Sequence, residues 1–249
     1  MKDNFLKSIG SKLRTNLQAT FNVKAEKTGL IDFAFTQCHP APKSFADLGG
    51  VWGVNGAYTF HALQQYNPER AFLVDTNFND PVRKKSQSFK SLKLITGNFG
   101  EKSVARQVGN VDAIFLFDVL LHQVNPDWNK VLEHYAGQTR YFVVYNQQWT
   151  GSDKTVRLLD LGRDEYFKNV PHDPHLEIYK NLFDKMYEPH PQHQRPWRDI
   201  HNVWQWGITD SDLQQTMKGL GFKQVHYQNC GRFGKLKNFH NHAFIFQKS

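Results

Sequence analysis

The chain has only two cysteines, Cys38 and Cys230, in 249 residues. Two thiols so far apart build neither a disulfide framework nor a four-thiolate zinc site, and a reducing cytoplasm is the expected setting. No run approaches the roughly eighteen consecutive apolar residues of a membrane-spanning helix. The basic stretch Met1 to Phe21 carries apolar residues at Phe5, Leu6, Ile9, Leu13, Leu17 and Phe21. That one-sided spacing lacks the continuous apolar core and cleavage site of a signal peptide and predicts a helix packed on its own domain, with a membrane-surface helix as the alternative. Internal repeats and low-complexity tracts are also missing. Aromatic residues are not: 20 Phe, 9 Tyr and 6 Trp exclude a disordered chain. A formal net charge of +8 favours acidic partners, but only Arg83-Lys84-Lys85 forms a basic run.

The most informative stretch is Ser44-Phe45-Ala46-Asp47-Leu48-Gly49-Gly50-Val51-Trp52-Gly53-Val54-Asn55-Gly56. A strand runs to Leu48, glycines crowd the turn, and a helix begins at Ala57. Glycine permits a tight turn and close approach of backbone to a ligand, and a helix start directs N–H groups and partial positive charge there. The pattern is that of a nucleotide-type site.

Further along, Ala71 to Asp75, Leu92 to Thr96, Val111 to Asp118 and Tyr141 to Tyr145 read as buried strands. They alternate with helices near Asn79–Phe89, Glu101–Val108 and Asn125–Ala136, the last with Asn125 as cap and Pro126 at its first position. This alternation predicts a parallel, doubly wound sheet. The end differs: a helix capped by Thr209 or Asp210, then strands at Lys223–Gln228 and His242–Phe246, which predicts an antiparallel hairpin. The expected fold is α/β, a mostly parallel seven-stranded sheet closed by that hairpin. Residues 1–43 are expected as a helical N-terminal extension of a domain over 44–249. Residues 148–207, rich in histidine, proline and tryptophan, are too long for a bare loop. They read as an insertion whose best helix is Leu176 to Met186.

This order of elements resembles the class I S-adenosylmethionine-dependent methyltransferases over roughly residues 44–147 and 208–249. Asp47-Leu48-Gly49-Gly50-Val51-Trp52-Gly53 matches that family's acid-x-Gly-x-Gly-x-Gly motif except at the middle glycine, here Val51. The resemblance assigns Asp47, Gly49, Gly50, Gly53 and Asn55 to the cofactor loop, and Asp75 with Thr76 to the ribose. A carboxylate suits two adjacent hydroxyls because charged hydrogen bonds are the strong ones. Asn98 and Phe99 fall where the family contacts adenine, and Phe117, Asp118 and Val119 where it flanks the transferable methyl. The glycine turn and Asp75 would also fit a nicotinamide enzyme. The closing hairpin and the acid before the glycines favour the methyl donor, with S-adenosylhomocysteine as product and no metal.

His122 follows the fourth strand and is the candidate general base for an acceptor hydroxyl or amine, with backbone anchoring as its structural alternative. His172, His175, His190, His193 and His201 match no recognised zinc spacing. Trp149, Trp197, Trp204 and Trp206 could wall an acceptor pocket or form the insertion's own core. Arg163, Arg195 and Arg198 could grip an acidic acceptor or lie on the surface. The resemblance implies direct methyl transfer to a small-molecule acceptor under the insertion. An RNA acceptor and a non-catalytic S-adenosylmethionine-binding scaffold stand as alternatives.

Overall fold

The computed structural model describes residues 23–249; the basic helix expected over Met1 to Phe21 lies outside them. β1 (Ser44–Leu48), β2 (Arg70–Asp75), β3 (Leu92–Thr96), β4 (Val111–Phe117) and β5 (Thr139–Trp149) pair in parallel. The short strands β6 (Val156–Arg157) and β7 (Trp206–Gly207) form a separate ribbon within the insertion. β8 (Phe222–Arg232) and β9 (Phe239–Lys248) then join antiparallel, completing a seven-stranded sheet in the order β3-β2-β1-β4-β5-β9-β8. The central strands are apolar almost throughout because helices cover both of their faces.

α1 (Ala25–Gln37), α2 (Ala57–Tyr66) and α3 (Asp80–Ser86) cover one face. α1 belongs to this layer: Leu30, Ile31, Ala34, Phe35 and Cys38 bury against Phe45, Phe115 and Tyr141. Asp32 binds His61 at 2.7 Å and accepts from the Tyr66 hydroxyl at 2.8 Å, tying α1 to α2. α4 (Lys102–Val108), α5 (Trp128–Ala136) and the last helix, Asp210–Gly219, cover the other face, around Ile114, Phe142 and Phe244. The short α6 (Arg163–Asn169) and α7 (Glu177–Asn181) lie in the insertion, and α8 spans Asp210–Gly219. Thr209 caps α8 by accepting from Asp212 N–H at 3.2 Å.

Three local expectations change. Asp127 is the residue before α5, so Pro126 precedes the helix instead of opening it. Where a helix was expected from Leu176 to Met186, α7 ends at Asn181 and turns follow. β5 continues past Tyr145 through Asn146-Gln147-Gln148 to Trp149, held by β9 partners from His242 to Phe239.

The insertion has its own core. Trp149, Trp197 and Trp204 are buried there with Leu158, Tyr166 and Phe239. Trp206 instead packs partly buried against the α5 side of the sheet. Among the described residues no helix is long and apolar enough to cross a membrane.

Candidate functional site

The site lies at the carboxyl ends of β1, β2 and β4, where an open α/β sheet places its ligand crevice. The turn after β1 is packed to its limit. Gly49 has φ +78°, and a Cβ there would come within 2.8 Å of Val119 Cγ1 and 3.2 Å of Phe99. A Cβ on Gly50 would meet the Asp47 carboxylate at 2.4 Å. Gly53 and Asn55 also take left-handed backbone, at φ 74° and 51°. Val51, the departure from the family's glycine pattern, keeps a negative-φ backbone and buries its side chain in the α1–α2 layer. Glycine is therefore not required at that position.

Asp47 is only 1% exposed and lies beneath this turn, its Oδ2 accepting from the Thr59 hydroxyl of α2 at 2.6 Å. Oδ1 has no hydrogen-bond partner. Burial pushes the carboxyl up to about 6, against the opposing Thr59 hydrogen bond. Asp47 thus positions the turn from below. The folded state holds this proton more tightly than the unfolded chain, whose carboxyl titrates near 3.8. The associated stability is present below the unfolded value and is lost as pH rises through about 6. Asp47→Asn is therefore expected to stabilise the protein by about 2 kcal/mol at pH 7.5, with the gain vanishing near pH 4. Thermal unfolding at the two pH values checks this.

Asp75 closes the turn from the β2 side. Its Oδ2 accepts from Val51 N–H at 2.9 Å and its Oδ1 from Thr76 N–H at 2.7 Å. Asn55 accepts from the Asn79 amide at 2.7 Å. Asn98 uses its side-chain oxygen on Gly100 N–H at 2.9 Å. Phe99 is buried beside Gly49, its carbonyl fixed by the Tyr135 hydroxyl at 2.8 Å. Phe117 stacks on Phe115 and meets Tyr58 edge-on, so it supports the β4 end from within the core.

Asp118, the next residue, has φ +58°, an uncommon conformation for a non-glycine residue. Its N–H donates to Tyr145 O at 2.8 Å, and its Oδ1 accepts from Gln147 Nε2 at 2.7 Å. The other oxygen pairs with Lys27 of α1. Lys27 is 3% exposed, and its ammonium lies 5.2 Å from the Tyr58 ring centre and 4.9 Å from that of Tyr145. Burial lowers the Lys27 pKa, opposed by Asp118. The sequence reading missed Lys27, Tyr58 and Gln147. A signal was present: Lys27 occupies the same helical stripe as Leu30, Ile31, Ala34 and Phe35. Trp52 was also missed; at the crest of the turn it is 88% exposed.

His122 ends a 3-10 turn over Leu120–His122, and its Nδ1 lies 2.9 Å from Val203 O. A carbonyl only accepts, so Nδ1 carries a proton there, and a further backbone hydrogen bond joins the ring to His201. Burial lowers the His122 pKa, which favours the neutral ring. The insertion clamps this same turn: Gln205 N–H donates to Leu121 O at 3.0 Å and Trp206 Nε1 to Gln123 O at 2.6 Å.

The other insertion candidates are engaged locally. Arg163 pairs with Asp184, Arg198 donates to Asp160 at 2.8 Å, and Arg195 donates to Asp199 O at 3.3 Å. His190 packs on His193 and Trp197, and His172 on Phe167. Among the described residues no three potential metal ligands come together. A cleft lined by Lys43, Glu69, Arg70 and Asp112 sits at the opposite, amino-terminal edge of the sheet. There Asp112 accepts from the N–H groups of Lys43 and Ser44, so it closes that edge structurally.

No family model matches the chain, and no curated protein matches it. Solved structures do. A Burkholderia thailandensis 1,6-didemethyltoxoflavin-N1-methyltransferase, crystallised with 1,6-didemethyltoxoflavin and S-adenosylhomocysteine, superposes with TM-score 0.59 at 12% identity, over 100% of this chain and 89% of that one. The N-terminal domain of EvdMO1, in the presence of S-adenosylhomocysteine and D-fucose, gives TM-score 0.57 at 13% identity over 91% and 84%. Human N-acetylserotonin methyltransferase in complex with S-adenosylmethionine gives 0.52 at 14% identity, covering 94% of this chain but 54% of its own. The chain has the class I, Rossmann-like methyltransferase fold.

Proposed function

We propose that this chain is an S-adenosylmethionine-dependent methyltransferase acting on a small molecule. The observation that carries the reading is the coincidence, on that fold, of the glycine turn with a carboxylate on each side of it. Asp75 stands at the end of β2 and Asp118 just beyond β4. The residues support the group: backbone packed so closely that Gly49 and Gly50 admit no side chain, and beside it the Asp75 carboxylate, which would accept from ribose hydroxyls. Of the structures it resembles, three were solved with S-adenosylhomocysteine or S-adenosylmethionine, one of them also with 1,6-didemethyltoxoflavin.

The bound cofactor would supply an electrophilic methyl on a sulfonium. The protein's share is then alignment and exclusion of water. Asp75 would hold the ribose and the Asn98 amide the base edge, while the β1 turn supports the chain between ribose and sulfur. The insertion, clamped on the His122 turn, would cover the acceptor. With Nδ1 fixed on Val203 O, Nε2 is the atom able to take a proton from an acceptor hydroxyl or amine. A carboxylate acceptor would need no base.

Calorimetric titration tests the cofactor directly: S-adenosylhomocysteine should bind at one site and a nicotinamide dinucleotide should not, and the reverse preference overturns the reading. His122→Ala should leave that affinity unchanged while lowering turnover of a hydroxyl or amine acceptor by roughly 10²-fold or more. Because burial lowers the His122 pKa, wild-type turnover should hold through pH 6.5 and fall only below it. Full activity in the variant would remove His122 from the proton path.

A further inference from the structure

Lys27 is the feature of the site that the fold alone does not explain. A lysine in the apolar stripe of a packed helix is costly unless its charge is matched. Here it is matched by Asp118, on the flank of the glycine turn opposite Asp75. The strand order β2-β1-β4 sets Asp75 and Asp118 two strand spacings apart, ~10 Å. A ribose held at Asp75 and an extended aliphatic tail would bridge such a gap. At the far end the tail of S-adenosylmethionine carries an α-ammonium and an α-carboxylate. The protein offers the opposite pair, a carboxylate and an ammonium in contact.

Resting on the cofactor reading above, we propose that Lys27 receives the α-carboxylate of the cofactor's amino-acid end and Asp118 its α-ammonium. The Lys27–Asp118 pair is exchanged, wholly or in part, for two pairs with the zwitterion. The surroundings suit the exchange. Tyr58 and Tyr145 hold the ammonium of Lys27 between their faces, and Gln147 Nε2 fixes the second Asp118 oxygen while itself reaching Asn241 Oδ1 at 3.2 Å. The half-exposed Asp118 is the side from which a ligand would reach the pair. The N–H of Lys24, one turn earlier, is anchored at 3.0 Å to the Tyr58 hydroxyl, which fixes the start of α1 over the site.

The test compares ligands that share the nucleoside but differ in the tail. Wild-type protein should bind S-adenosylhomocysteine roughly 10- to 100-fold more tightly than its decarboxylated analogue, as expected for one charged hydrogen-bonded contact. Lys27→Met should erase most of that preference while leaving affinity for methylthioadenosine, which lacks the amino acid, at the wild-type value. Lys27→Arg should keep part of it. Equal losses for S-adenosylhomocysteine and methylthioadenosine would make Lys27 only a structural residue, and an unchanged preference in Lys27→Met would place the carboxylate elsewhere. Both results overturn the proposal. If Lys27→Met does not fold, Lys27→Gln takes its place, and an unchanged preference for the carboxylate there likewise rejects the proposal. Failure of the cofactor reading looks different, because the wild type would then bind neither S-adenosylhomocysteine nor methylthioadenosine.

Discussion

Gly50→Ala should destabilise the protein by about 3 kcal/mol, the upper end of what an overpacked methyl costs. The new Cβ would lie 2.4 Å from Asp47 Oδ2 and 2.6 Å from Asp47 Cγ, well inside any allowed contact. Asp47 has nowhere to retreat: it is buried and held by the Thr59 hydroxyl at 2.6 Å. The turn must move instead, and with it the Gly56 N–H that donates to Gly50 O at 2.9 Å and sets the start of α2. Denaturant unfolding measures the loss. Adding Asp47→Ala to the variant should recover part of it, because the two sites share one space and their effects cannot be additive. A Gly50→Ala protein as stable as the wild type would show that the turn is not packed on Asp47.

The second large effect is on binding. Asp75→Ala should weaken S-adenosylhomocysteine by about 2–4 kcal/mol, the worth of two charged hydrogen bonds to the ribose hydroxyls. Methylthioadenosine should weaken to the same extent, since it carries the same ribose; that sets Asp75 apart from Lys27. The Val51 N–H bond to Asp75 Oδ2 adds a structural component. Asp75→Asn separates the two, because its amide oxygen can still accept from Val51 while the charge is gone. Its affinity should lie between wild type and Asp75→Ala. Unchanged affinity in both variants would remove the ribose assignment.

The sheet and the glycine turn were legible in the sequence because each depends on local pattern. Ala71 to Val74 and Ala113 to Phe117 are apolar runs buried on both faces, and Asp47 to Gly56 concentrates residues that only a tight turn explains. The end of β5 was not legible. Asn146-Gln147-Gln148 breaks the apolar run, and only pairing with His242, Asn241 and His240 of β9, about a hundred residues later, keeps it a strand. The helix expected over Leu176 to Met186 failed for a related reason. Its apolar residues serve the insertion's core through turns, and the segment beyond it is organised by a bridge between Pro189 and Pro196. Lys27 shows the limit most clearly. Its helical stripe was readable, but its partner lies 91 positions away, and nothing local says that Asp118 waits there.

A crystal structure with S-adenosylhomocysteine decides whether the turn from Gly49 to Gly56 cradles the cofactor between Asp75 and Asp118. The ribose hydroxyls should lie within hydrogen-bond distance of Asp75, the sulfur beside the turn, and the amino-acid end at Asp118 and Lys27. Density for the ligand at any other edge of the sheet, or none at saturating concentration, would contradict it.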